Sequence, residues 1–284
     1  MNMKKLLKTL AVLSLATTLV ACSSGSSSND DKTIKVGATL VPHAEILKEV
    51  VTPVLEKEGW KLEVVEFNDY VTPNTSLEEG ELDANYFQTL GYMKDQNESG
   101  GLHLVAVAGV HIEPMGLYSK KYSPSDKWEL EDGATIGVPN DTDNYNRAID
   151  FLVASGNLKG TGTEEELNGN SELNPKGLVI TPIEAAGLPR ALDDLTAAVI
   201  NGNYALEAEL PEKLGGALLV EEFNEETSVR RTNYIVVKEG NESSEKIQAL
   251  VKAITSDDVK SYIENTYKGA VIPSFVDENG NPLK

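Results

Sequence analysis

Residues 33–67 read TIKVGATLVPHAEILKEVVTPVLEKEGWKLEVVEF. Residues 33–40 alternate apolar with polar side chains and are rich in β-branched residues, and 60–67 repeat that character, so both read as strands. Between them Leu47, Val50, Val51, Val54 and Leu55 recur at helical spacing; Pro42 suits a first helical turn and Gly59 closes the helix. Pro53 falls inside the pattern, where a missing N–H and a bulky ring would kink it. A strand, a helix and a strand in so short a stretch predict a parallel pair with a right-handed crossover, the opening of an α/β fold.

The next stretch, residues 68–93, reads NDYVTPNTSLEEGELDANYFQTLGYM. It gathers Tyr70, Tyr86, Phe87 and Tyr92 in a chain that is 6% aromatic. Its segment LDANYFQ reads as a strand running into a loop, and open α/β sheets bind small ligands just outside the carboxyl ends of their strands. Further strands are expected near 102–107, 134–138, 177–181, 196–200 and 232–237, with helices between them and a helical C-terminus capped by Ser243 or Ser244 and by Ser256. Residues 161–176 read as an exposed excursion. Two extended crossings, near 112–118 and 229–234, predict two lobes joined by two strands with a cleft between them. The first lobe would comprise 32–114 with 235–284, the second 115–234.

Charge narrows the partners. The chain has 284 residues with Lys+Arg 25 against Asp+Glu 45, a formal net charge of −20. Such a surface repels nucleic acid and anionic lipid. The N-terminus is the sharpest local signal. Lys4, Lys5 and Lys8 precede an apolar run over 10–20, too short to span a bilayer, and then comes Leu19-Val20-Ala21-Cys22. This resembles a bacterial lipobox, which implies a cleaved signal over 1–21 and an acylated Cys22 as the first residue of the mature chain. Cys22 is the only cysteine, so a disulfide framework or a Cys-based metal site is excluded. Residues 23–31, SSGSSSNDD, complete a flexible tether over 22–31. Without Lys4, Lys5 and Lys8 the remaining chain has 22 basic and 45 acidic side chains.

Candidate chemistry is sparse. His43, His103 and His111 occur singly, His43 at a helix start on the surface and the others in or beside strands, so no metal cluster is expected. No HExxH, GxSxG or GxxxxGK[ST] pattern is present, which leaves catalysis without a motif. Arg147 falls one turn or so into a helix after Asn140-Asp141. A guanidinium there could fork onto a carboxylate, although a surface arginine paired with a nearby acid explains the pattern as simply. Asn201 and Asn233 each offer a donor and an acceptor near strand ends; turn chemistry and an edge position are the plain alternatives. Tyr70, Phe87 and Tyr92 would ordinarily be core, but their clustering at loop signals suits a pocket, and aromatic faces pack well on sulfur.

Eight segments together, VGATLVPHAEIL, NDYVTPN, GELDANYFQ, EPMGLYS, VPNDTDNYNRA, LPRALDD, AAVINGNYA and TNYIVVK, span nearly the whole mature chain. In this order they resemble the NlpA-type lipoproteins, the methionine-binding subunits of bacterial ABC importers. The resemblance implies a two-lobe type II periplasmic-binding-protein fold and no enzymatic activity. The lobes would close on one free amino acid, most simply methionine, and deliver it to a permease and ATPase complex. By motif, Arg147 would bind the ligand α-carboxylate, Asn201 and Asn233 the α-amino and carboxylate groups, and Tyr70, Phe87 and Tyr92 the side chain, with Asn144 in the Arg147 motif. The family commonly has His-x-Pro-Tyr after FQ. Here Thr89 stands for the His and Gly91 for the Pro, while Asp143 and Asn146 replace a Pro and a Gly near Arg147. Thr89 would enlarge the pocket or admit a water. The implied protein is a monomer without cofactor, held by lipidated Cys22 on the extracytoplasmic face of the cell membrane. The alternatives are a receptor for another small amino acid, a methionine derivative or a short peptide, and more remotely a metal receptor.

Overall fold

The computed structural model describes residues 32–283. The expected signal, Cys22 and the tether lie outside the described residues. Eleven strands are described: β1 (Thr33–Thr39), β2 (Lys61–Phe67), β3 (Ala84–Thr89), β4 (Leu104–Ile112), β5 (Gly116–Tyr118), β6 (Thr135–Pro139), β7 (Val179–Ile183), β8 (Ala197–Ile200), β9 (Leu219–Val220), β10 (Thr232–Lys238) and β11 (Ile272–Pro273). They form two mixed sheets, a six-stranded one in the order β11-β4-β10-β3-β1-β2 and a five-stranded one in the order β7-β6-β8-β5-β9. This is the α/β architecture of two lobes that the alternation of strands and helices implied.

β1 and β2 pair in parallel, Ile34 opposite Leu62 and Val36 opposite Val64, as 33–67 predicted. Gly37 in β1 permits close packing: a Cβ there would lie 2.6 Å from Leu82 Cδ1 and 2.9 Å from the Phe67 ring. After a break at the extended Val41, a π-wound turn at Leu47–Val51 leads into the α-helix Thr52–Lys57, where Pro53 occupies the first turn. Val51 and Thr52 keep right-handed helical angles, and Thr52 Oγ1 donates to the Leu47 carbonyl at 2.9 Å. The wider turn absorbs the change in hydrogen bonding that a proline imposes.

The C-terminal helices Glu245–Ile254 and Asp257–Tyr267 begin at Ser244 and Ser256, whose side chains accept from the N–H groups of Ile247 and Val259. Their apolar stripes (Ile247, Leu250, Ile254, Val259, Ile263) join Ile34, Val36 and Ala38 of β1 in one core. In the other lobe Ala148, Ile149 and Leu152 of the helix Thr142–Ala154 pack with Ile136 and Val138 of β6. Burial of these faces supplies most of the favourable free energy of such a fold.

Four sequence readings need correction. The crossing expected to be extended over 229–234 is the helix Glu225–Arg231 followed by β10, since Asn224 and Thr227 form a reciprocal capping box. The excursion over 161–176 contains the helix Glu164–Gly169, and Leu167 and Asn174 are buried there. The loop expected after Asn201 is the helix Gly202–Glu207. Asn233 is not at an edge, because β10 lies between β3 and β4. β9 and β11, two residues each, are too short to show a period. Among the described residues no helix is long and apolar enough to cross a membrane.

Candidate ligand cleft

Parallel strands place their carboxyl ends along one sheet edge, and an antiparallel strand brings its beginning to the same edge. Thr89 ends β3, Glu113 follows β4, Asn201 follows β8, and Asn233 sits at the start of β10. Asn144 and Arg147 lie on the helix Thr142–Ala154 that follows β6. Tyr70, Phe87, Thr89, Tyr92, Asn144, Arg147, Asn201 and Asn233 all line one narrow cavity with an empty volume of about 340 Å³. Gln88, Glu113 and Gly202 line it too.

One wall is aromatic. Tyr70 lies 5.8 Å from Phe87 and 5.7 Å from Tyr92, centroid to centroid, and Phe87 lies 6.1 Å from Tyr92. The hydroxyls are tied back: Tyr92 donates to the Tyr70 carbonyl at 3.0 Å, and Tyr70 donates to Asn203 Oδ1 at 2.5 Å. Thr89 caps the helix Leu90–Gly100, its Oγ1 accepting from the Tyr92 N–H at 3.2 Å.

The opposite wall is polar. Arg147 is 4% exposed, which removes the surface-arginine alternative. Its Nε and Nη2 donate to the Glu221 carboxylate at 3.0 and 2.6 Å, and Nη2 also donates to the Glu113 carbonyl at 2.8 Å. Nη1 takes no part in these contacts and remains to serve the cavity. Asp141 caps the helix, accepting from the Asn144 N–H at 2.9 Å and from Asn144 Nδ2 at 3.0 Å. Asn144 Oδ1 in turn accepts from Asn201 Nδ2 at 2.8 Å. This chain of bonds fixes the orientation of Asn201 and leaves its Oδ1 buried without a partner. Asn203 Nδ2 is likewise buried and unpartnered. Buried polar atoms are nearly always hydrogen-bonded, so the Asn201 orphan, on a residue that lines the cavity, marks where a ligand's donor belongs.

Glu113 is the acid that sequence reasoning passed over, although it stands in the EPMGLYS segment. The expectation of scattered histidines fails here: His43, 1% exposed and not on the surface, and His111, fully buried, converge on it. Their Nε2 atoms lie 3.4 and 2.6 Å from Glu113 Oε1. His103, by contrast, pairs with Glu78 on the surface. The three converging groups could hold a metal ion by geometry alone. Their remaining polar atoms are nevertheless engaged: Thr39 Oγ1 is 2.8 Å from His43 Nδ1, Tyr86 Oη is 2.5 Å from His111 Nδ1, and His43 Nε2 is 3.3 Å from Asn233 Oδ1. The last contact leaves Asn233 Nδ2, a donor, for the cavity it lines. Burial pushes the Glu113 carboxyl above its usual range, opposed by His43 and Arg147. Burial also pushes His43 down to about 4, against the pull of Glu113, and His111 down to about 3.

Those depressed values make stability depend on pH. The unfolded chain protonates these histidines near 6.5 and the folded chain only near 4 and 3. The unfolded state therefore binds more protons between, and stability falls as pH drops through that window. Scanning calorimetry from pH 6.5 to 4.5 should show a declining Tm, and His43→Gln should flatten part of the slope. A level Tm across that range would contradict buried neutral imidazoles.

The family model described as NlpA lipoprotein matches residues 34–275. The chain belongs to the NlpA lipoprotein family. The D-methionine-binding lipoprotein MetQ of Escherichia coli K12 is 35% identical over 262 residues, 90% of this chain and 93% of its own. A nutrient binding protein from Burkholderia cenocepacia, solved bound to methionine, is 39% identical with a TM-score of 0.74, covering 85% of this chain and all of its own. An ABC transporter periplasmic substrate-binding protein from Coxiella burnetii is 35% identical with a TM-score of 0.75, over 84% of this chain and 99% of its own. Relatives of this NlpA-family chain thus include methionine-binding proteins and an ABC transporter substrate-binding protein, and its fold is shared with the solved ones.

Proposed function

We propose that this NlpA-family chain is a lipid-anchored receptor that binds free methionine and hands it to an ABC permease and its ATPase. The observation that carries this reading is the pairing, in one cavity, of a buried arginine and an orphaned buried acceptor with an aromatic wall. A zwitterion fits that pairing. Arg147 Nη1 and Asn233 Nδ2 receive the α-carboxylate, while Asn201 Oδ1 and the Glu113 carboxylate receive the α-ammonium. Tyr70, Phe87 and Tyr92 enclose the thioether, whose polarisable sulfur packs favourably against ring edges and faces. Thr89 lines the same cavity with its hydroxyl committed to the helix cap.

The remaining assignments follow from the sequence. Residues 1–21 are a signal, acylated Cys22 fixes the mature protein to the extracytoplasmic face of the membrane, and 22–31 are a tether. The two sheets move as two lobes, closing when a ligand touches both. The protein acts as a monomer and is a carrier, not an enzyme.

The test is calorimetry and thermal shift on the mature chain, unfolded and refolded to strip carried-over ligand, against L- and D-methionine, other amino acids, short peptides and divalent metals. Methionine at a hundred times its Kd should contribute about 2.7 kcal/mol. For a chain of this size that is a Tm rise of roughly 5–10 °C. Binding of a metal and of no amino acid or peptide would overturn the reading in favour of the His43, His111 and Glu113 cluster.

A further inference from the structure

Gly91 and Asp143, two positions at which the motifs depart from the family pattern, meet in the structure. Gly91 lies in the first turn of the helix Leu90–Gly100, between Thr89 and Tyr92 of the aromatic wall. Asp143 lies in the first turn of the helix Thr142–Ala154, one helical turn before Arg147. A Cβ on Gly91 would sit 2.8 and 2.9 Å from the two Asp143 carboxylate oxygens and 2.9 Å from Arg230 Nε. Backbone and carboxylate therefore touch only because residue 91 has no side chain.

The carboxylate is held firmly. Asp143 is 3% exposed. Arg231 Nη1 donates to its Oδ2 at 2.8 Å, and Arg230 Nη2 donates to its Oδ1. Arg231 is buried, whereas the Arg230 side chain is 59% exposed. Both arginines end the helix Glu225–Arg231, which leads directly into β10 and Asn233. Asp143 thus faces the positive end of a helix of 11 residues while two guanidiniums clasp it from the crossing segment. Away from water such attractions are stronger than at a surface.

We propose that Asp143, clasped by Arg230 and Arg231 and seated on Gly91, is a latch that holds the two walls of the cavity together. Asp143 is a positioning residue. It is not among the residues that line the cavity and acts through the helices that carry Tyr92 and Arg147. The latch sets how long the ligand stays, because apparent affinity scales with the fraction of chains that are closed. A methyl group at residue 91 would wedge the walls apart. Removing Asp143 would free Arg230, already more than half exposed, to swing out of the way and make room for that methyl group.

The latch rests on the ligand reading above for one of its two readouts only. The mature chain with Cys22→Ser is spin-labelled through Glu98→Cys and Asp150→Cys, exposed positions on the two helices, and the distance between labels is measured with and without methionine. Methionine dissociation is followed in the same proteins. Gly91→Ala should lengthen or broaden the distance in the ligand-free chain and speed dissociation at least tenfold. Asp143→Ala should also speed dissociation, and adding Gly91→Ala to it should cost less than threefold more. Asp143→Asn, which keeps the shape, should speed dissociation through loss of charge and serves if either alanine variant misfolds. Unchanged distances and rates in Gly91→Ala, or the same tenfold penalty in the Asp143→Ala background, would overturn the latch. A wild-type chain that binds no methionine would overturn the ligand reading and leave the ligand-free distances to decide the latch.

Discussion

Arg147→Ala should abolish measurable methionine binding. The guanidinium is buried, it is the cavity's cation, and two of its nitrogens are already anchored on Glu221 and the Glu113 carbonyl. That anchoring holds the guanidinium in place before any ligand arrives, so little entropy is lost when a carboxylate binds. Truncating one partner of a buried, hydrogen-bonded charge pair costs about 2–5 kcal/mol, or roughly 30- to 4,000-fold in affinity. The same change strands Glu221, whose side chain is 12% exposed. Stability should therefore fall as well, by an amount on the order of 3 kcal/mol. Arg147→Lys separates the two effects: it keeps a positive charge beside Glu221 but cannot fork in three directions. It should retain most of the stability and lose most of the affinity. Micromolar binding by a folded Arg147→Ala protein would remove the residue from its assigned role.

Glu113→Gln should bind methionine roughly 10- to 100-fold more weakly, the worth of a hydrogen bond to a charged group over a neutral one. Its Tm at pH 7 should stay level or rise. The Glu113 carboxyl titrates above its ordinary 4.5 because it is buried. A group raised in this way favours the folded chain while protonated, and that contribution is lost as pH rises through the folded value. At neutral pH the buried carboxylate is thus a burden on stability, and the neutral amide relieves it while still reaching His111. Activity sites commonly carry such strain. A variant whose affinity is unchanged, or whose Tm drops by many degrees, would show that Glu113 is structural and not the counter-charge for the ammonium.

Several parts of the site were legible before the fold was known. Arg147, Asn201 and Asn233 stand in polar segments beside apolar runs, and Tyr70, Phe87 and Tyr92 cluster in a chain poor in aromatics. What misled the reading were positions whose surroundings are remote in sequence. His43 looked like a helix-start surface residue because it follows Pro42 at the head of a helical pattern; its neighbours in space are Glu113, His111 and Asn233. Residues 229–231, expected to be part of an extended crossing, instead end the helix Glu225–Arg231, whose caps Asn224 and Thr227 lie in a run of acids without an apolar period.

The amino-acid sequence by itself determined the α/β class, the parallel start of the first sheet, the family and the residues whose chemistry suits a zwitterion beside a thioether. Those properties are local: hydrophobic period, turn residues and short motifs act within a few turns of chain. Only the tertiary structure decided that Glu113 stands against two neutral histidines, that Arg147 is already held by Glu221, and that Gly91 receives Asp143 and Arg230. Each of these contacts depends on sheet order and helix packing, above all on β10 being inserted between β3 and β4. Which buried atom keeps a partner and which is left for a ligand is settled by every neighbour at once, and periodicity along one segment carries no record of them.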